Sequence, residues 1–188
     1  MLRVIFLEGY FMKLKTNTIT KIAVLAAISA ILQYLAMFIP FKVGGFLDLD
    51  ISDFPAIIAS LALGPIAGVL TELIKNIIHL PVSTTAYVGE LANFLVNGVF
   101  VLVVGVIYRC DKTKKGAVIA LLLGTVVMTG AAILSNRFLL LPMFIKGVPT
   151  SVYWNTVFAL ITPFNFARGL VLSVLTFFSY KKLRTLLK

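Results

Sequence analysis

Residues 48–79 read DLDISDFPAIIASLALGPIAGVLTELIKNIIH. Two apolar runs meet at Gly64-Pro65, and each is too short to cross a bilayer comfortably. Asp48, Asp50 and Asp53 lead in, and Glu72, Lys75, Asn76 and His79 punctuate the second run. Charges inside an apolar helix are costly in lipid unless they line a cavity or an interface. This stretch therefore calls for a bundle around it, with two short helices held among longer ones.

The rest of the sequence supplies that bundle. Of 188 residues, 60% are hydrophobic and 13% charged, with a mean hydropathy of +1.05. A soluble domain of this size has no way to hide so much apolar surface, so the class is a multi-pass membrane protein forming one domain, 1–188. The net charge of +10 sits beside the apolar segments. It therefore reads as orientation determinants and headgroup contacts with the lipid bilayer. No aromatic-basic groove accompanies it, which sets nucleic acid aside. Cys110 is the one cysteine, so neither an intrachain disulfide nor a four-cysteine metal site is available. Met1 to Tyr10 lacks the apolar core and cleavage site of a signal peptide and reads as a short amphipathic leader.

Six helices are expected, over about residues 22–39, 54–63, 66–80, 87–108, 116–139 and 163–180. In the first, Ala23/Ala27 and Ala26/Ala30 are small residues four apart, a spacing that admits close approach of another helix. Pro40 ends it. Asp53 is placed to N-cap the second helix, with Pro55 just inside. Glu72, Lys75, Asn76 and His79 share one face of the third, where Glu72 and Lys75 are expected to pair. His79 lacks a second histidine and reads as a capping or interfacial residue rather than a metal ligand. Glu90, Asn93 and Asn97 form a stripe on the fourth helix. Thr162-Pro163 reads as the start of the sixth, which leaves Ser151 to Ile161 as a separate aromatic piece near the interface.

Six crossings put both termini, the Gly64-Pro65 turn and the loop after Tyr108 on one side. Arg3, Lys13, Lys15, Lys21, Arg109, Lys112, Lys114, Lys115, Lys181, Lys182, Arg184 and Lys188 lie there, twelve of the 17 basic residues. That side is cytoplasmic by the positive-inside rule, so the termini are cytoplasmic. Glu90, Asn93, Asn136, Arg137, Asn165 and Arg168 then fall in the outer half of three helices. They either satisfy one another as structural glue or form a ligand pocket in the extracellular half, open to the outside. No phosphate-binding loop, His-Glu-x-x-His or Gly-x-Ser-x-Gly motif is present. A binding subunit that draws on a partner's energy source accounts for these absences better than a self-contained pump or enzyme.

Leu47-Asp48 through Ser52-Asp53-Phe54-Pro55-Ala56, then Leu63-Gly64-Pro65 with Ala67-Gly68, resembles the substrate-binding S components of energy-coupling factor (ECF) vitamin transporters. Gly89-Glu90 with Asn93-Phe94, Asn136-Arg137 with Leu141-Pro142, and Pro163-Phe164-Asn165 with Arg168-Gly169 are similar to the riboflavin-specific branch, where Arg168 is often lysine. The resemblance implies an all-α, six-helix protein of the cell membrane that captures riboflavin outside. It implies no catalytic cofactor. It also implies partners, namely a transmembrane coupling protein and two ATP-binding subunits. On this resemblance the ligand contacts are Lys42, Val43, Gly45, Leu47, Asp48, Leu80, Glu90, Asn93, Asn97, Asn136, Phe164, Asn165 and Arg168. Ala23, Ala27 and Ala30 would dock the coupling protein. The rival readings are an S component for thiamine, biotin or folate, a small intramembrane enzyme using Glu72 or Glu90, and a ligand-free assembly subunit.

Overall fold

In the computed structural model, residues 15–38, 42–43, 47–48, 50–144, 147 and 149–186 are described. Among the described residues the regular structure is helical apart from a minimal hairpin. Its helices are α1 (Thr16–Ala36), α2 (Phe54–Leu63), α3 (Pro65–His79) and α4 (Val88–Cys110). α5 comprises Lys114–Ser135, a π-helical turn Asn136–Leu140 and a last turn Leu141–Phe144. α6 comprises Thr150–Thr156, a second π-turn Val157–Ile161 and then Thr162–Leu186. Between α1 and α2, Lys42–Val43 (β1) pairs antiparallel with Leu47–Asp48 (β2), Lys42 opposite Asp48. Among the described residues four helical stretches are long and apolar enough to cross a membrane: Thr16–Ala36, Val88–Cys110, Lys114–Met143 and Thr150–Leu183.

Three expectations change. α1 begins at Thr16 and ends by Ala36, not at 22–39. Hydropathy marks the apolar part of a helix, whereas Thr16, Asn17 and Lys21 extend the same helix with polar residues. α5 runs past residue 139. The sixth helix starts at Thr150 rather than at 163, so Ser151 to Ile161 is its first part and no separate interfacial piece. Pro142 and Pro163 explain the misreading. Each stands two residues after the last residue of a π-turn. A proline lacks an N–H and its ring clashes with the carbonyl four residues back. Widening the preceding turn accommodates that without ending the helix. Thr162 Oγ1 then donates to the Val157 carbonyl at 2.9 Å, which also accepts the Thr162 N–H, and Asn165 Nδ2 donates to the Ile161 carbonyl at 2.9 Å.

The core lies where α2, α4, α5 and α6 meet. Phe100, Val101 and Val104 of α4 are wholly buried against Ala117, Ala120, Leu121 and Met128 of α5 and Ile57 of α2. Within lipid this packing is dispersion between close surfaces, so small residues set the distances. Gly105 is one: a Cβ there would collide with Ser60 Oγ and lie 2.7 Å from Pro65 Cα. Ser60 Oγ in turn donates to the Val101 carbonyl at 2.5 Å, joining α2 to α4. The sharp turn between α2 and α3 requires Gly64, whose φ of 115° disfavours any side chain. On α1, Ile22, Leu25, Ala26, Ser29, Ala30 and Gln33 face the bundle, while Ala23 and Ala27 are exposed.

Candidate ligand site

Two polar networks stand out among the buried residues. The first gathers Asp50, Asp53, Glu72, Lys75 and Arg168. Asp53 is fully buried, and its carboxylate accepts from Lys75 Nζ on one oxygen and from Arg168 Nη2 on the other. Lys75 Nζ also lies 2.7 Å from Glu72 Oε2, so the expected Glu72–Lys75 pair forms inside a larger cluster. Arg168 Nε donates to the Asp50 carbonyl at 3.2 Å. Asp50 itself accepts from the Ser52 N–H at 2.6 Å and from Ser52 Oγ at 2.5 Å. Asp53 makes no side-chain cap on α2. Two buried cations need its charge more than an N-terminal N–H does. The network ties the segment after β2 to α3 and α6.

The second network closes the α3–α4 connection. His79 Nδ1 meets Glu90 Oε1 at 3.1 Å. Ser83 Oγ donates to Glu90 Oε2 at 2.7 Å, and Thr85 Oγ1 donates to the same oxygen at 3.2 Å. Ala86 and Tyr87, both with positive φ, bring the chain from this turn into α4. His79 is thus the partner of an acid on the next helix, and Tyr34 of α1 packs on its ring at 5.4 Å.

Outside these networks some buried polar groups are not satisfied. Asn97 is fully buried; its Nδ2 donates to Asn93 Oδ1 at 3.2 Å, and its own Oδ1 has no partner among the described residues. Asn136, 5% exposed, donates to the Ala132 carbonyl at 2.9 Å and likewise leaves Oδ1 unpartnered. Buried acceptors without donors are rare in folded proteins and mark places where water or a ligand belongs. The π-turn carrying Asn136 lies against α4, and the α6 π-turn lies beside it. Arg137 follows Asn136, with its guanidinium over the rings of Tyr153 at 5.0 Å, Trp154 at 5.3 Å and Phe138 at 5.3 Å.

Of the expected contacts, Asn97 of α4, Asn136 of the α5 π-turn and Asn165 of α6 are buried, and Asn93, one turn before Asn97, is half-buried. Glu90 and Arg168 are engaged with the protein's own groups. Phe164 and Leu80 are half-buried. Lys42, Val43, Leu47 and Asp48 are seen as backbone in the hairpin, and Gly45 lies outside the described residues. Sequence reasoning placed Arg137 in the outer polar group but did not select it as a ligand contact. Its signal was a lone cation after an amide in an otherwise apolar helix, with Tyr153-Trp154 opening the next one. Among the described residues no three His, Cys, Asp or Glu side chains converge to hold a metal.

Similarity to known proteins covers nearly all of this architecture. The family described as "ECF transporter, substrate-specific component" matches residues 17–180. The chain is 33% identical over 171 residues to the riboflavin transporter RibU of Staphylococcus aureus (strain TCH60), covering 89% of this chain and 90% of that one. It is 31% identical over 179 residues to the riboflavin transporter FmnP of Bacillus subtilis (strain 168), covering 91% and 94%. A solved structure described as "Structure and mechanism of the S component of a bacterial ECF transporter" superposes with a TM-score of 0.77 at 33% identity, over 91% of this chain and 97% of that one. These relatives are transport components and not enzymes, so Glu72 and Glu90 have no catalytic role to fill. The chain belongs to the substrate-specific components of ECF transporters.

Proposed function

We propose that this protein is the riboflavin-binding component of an ECF importer in the cell membrane. The observation that carries the reading is near-full-length similarity to two riboflavin transporters. In this proposal the bundle crosses the membrane six times, α2 and α3 included, with both termini cytoplasmic and the pocket in the extracellular half. The isoalloxazine ring lies among apolar side chains that include Phe164 and Leu80. Asn93, Asn97, Asn136 and Asn165 take its polar edge and the ribityl hydroxyls. The open oxygens of Asn97 and Asn136 support this, because a flavin brings the N–H and O–H donors they lack. The hairpin with Lys42, Val43, Leu47 and Asp48 covers the pocket. Arg168 and Glu90 hold the walls and reach the ligand's hydroxyls as it settles.

Delivery depends on partners: a transmembrane coupling protein and two ATP-binding subunits. The exposed Ala23 and Ala27 of α1 supply a flat docking face for the coupling protein. Ala30, on the buried side of the same helix, sets the α1 packing instead. Quenching of riboflavin fluorescence by the purified protein is the direct test. Saturable quenching with one flavin per chain is expected, and no quenching at micromolar riboflavin overturns the proposal. Uptake of labelled riboflavin by cells with and without the coupling partners tests delivery separately.

A further inference from the structure

The ion cluster around Asp53 does not balance. Asp50, Asp53 and Glu72 bring three negative charges to it, and Lys75 and Arg168 bring two positive ones. All five residues are buried. A net negative charge inside an apolar bundle is costly and calls for a counter-charge close by. Glu72 is the acid with capacity to spare. Its Oε2 lies 2.7 Å from an ammonium that Asp53 shares, and its Oε1 has no partner among the described residues. Asn76 stands one turn on. Its Nδ2 donates to the Glu72 carbonyl at 2.9 Å, which sets the amide over that turn, and its buried Oδ1 is left without a partner.

α1 brings two more oxygens to the same height. It packs on α3 and α2. Its C-terminal end meets that of α3, where Tyr34 donates to the Ile78 carbonyl at 2.9 Å and lies against the His79 ring. The two helices therefore run parallel. Gln33 comes one residue before Tyr34 and Asn76 two before Ile78; Ser29 comes five before and Glu72 six. Each pair is thus level to about 1.5 Å, the rise of one residue. Ser29 and Gln33 belong to the buried face of α1, and Ser29 Oγ and Gln33 Oε1 have no partner among the described residues. Water would give these oxygens donors but leave the charge. A hard monovalent cation takes carboxylate, amide and hydroxyl oxygens and also closes the balance. Ala26 and Ala30, in the same buried stripe as Ser29, keep the helices close and leave room for a small ion.

We propose that Glu72 Oε1, Asn76 Oδ1, Gln33 Oε1 and Ser29 Oγ form a sodium site in the seam between α1 and α3. The ion balances the cluster and ties α1 to α3.

The test uses the full chain in detergent without flavin, with sodium, potassium or N-methylglucamine chloride as the salt at equal ionic strength. The thermal midpoint is expected to rise with sodium concentration, less with potassium, and not with N-methylglucamine, because an ion that binds only the folded chain stabilises it. Radioactive sodium is expected to bind at one ion per chain. Glu72→Gln keeps the shape and removes the charge, so its midpoint is expected to be the same in all three salts. Ser29→Ala is expected to need about 10-fold more sodium for the same rise, as for one lost ligand bond. A wild-type midpoint indifferent to the cation overturns the proposal and leaves a proton as the counter-charge. A full sodium response in Glu72→Gln overturns it as well. Should that variant not fold, an unchanged sodium requirement in Ser29→Ala does so. No readout involves riboflavin, so failure here leaves the functional reading untouched.

Discussion

Asp53 and Arg168 form a buried ion pair across 115 residues of sequence. It joins the first turn of α2 to the middle of α6. The same carboxylate holds Lys75 of α3, so one side chain fixes three elements. Removing one partner from a buried pair leaves the other's charge uncompensated, and this costs more than the pair itself contributes.

Asp53→Asn is therefore expected to lower unfolding stability in detergent by about 3–5 kcal/mol, since two buried cations lose their counter-charge. In Asp53→Asn/Arg168→Met one of those cations is gone. The double variant should lose less than the sum of the two single changes. Additive losses on denaturant or thermal unfolding would show that the residues are not coupled.

Asn97→Leu and Asn136→Leu separate binding from folding. Each removes a buried oxygen that has no partner without ligand. Flavin-free stability is expected to change by less than about 1 kcal/mol, while riboflavin binding weakens by about 1–3 kcal/mol per site. Titration by fluorescence quenching beside a thermal melt of the same sample reads both. A variant that loses stability but keeps affinity would place its amide outside the pocket.

Gly68 and Gly130 make a paired test of packing. A Cβ at Gly68 would lie 2.6 Å from Ser60 Cβ and 3.0 Å from the Ala56 carbonyl, whereas one at Gly130 meets nothing within 4 Å. Gly68→Ala should cost about 1–3 kcal/mol by forcing α2 and α3 apart. Gly130→Ala should be neutral, or stabilise by up to about 1 kcal/mol through helix propensity. Thermal midpoints of the two variants, measured side by side, settle the contrast.

On α1 the two alanine stripes should part in function. Ala27 is exposed and Ala30 is 4% exposed. Ala27→Trp is expected to leave flavin binding intact and abolish uptake in cells that carry the coupling partners. Ala30→Trp is expected to overpack the bundle and lower stability itself by about 1–3 kcal/mol. Uptake unaffected by Ala27→Trp would remove this face from the docking surface.

The parts legible in sequence were those set by local rules. Gly64-Pro65 broke the apolar run where the turn falls, because glycine tolerates the conformation and proline opens the next helix. Glu72 and Lys75 were paired by spacing alone. Asp53 was legible as a helix start but not as the centre of an ion network, because Lys75 and Arg168 reach it through tertiary packing that no local pattern encodes. Pro142 fell beyond the expected end of the fifth helix and Pro163 at the expected start of the sixth for the same reason: proline signals a boundary locally, and the π-turns that absorb it are not written in a local pattern. The Asn97 and Asn136 amides were picked out by polarity. Their shared property, an oxygen left open, appears only once every other bond is placed.

The two π-turns have one more consequence. Each adds a residue to its helix, and one residue is about 100° of rotation. Whatever lies beyond the insertion is turned by that amount relative to the straight continuation. Residues 141–144 of α5 and 150–156 of α6 therefore have a rotational phase of their own, independent of the lengths of the same helices that pack on α2 and α4. Substitutions at the π-turns would re-aim the side chains at that end while the rest of the bundle kept its seams. Such a joint would let one framework change what that end presents without disturbing its core.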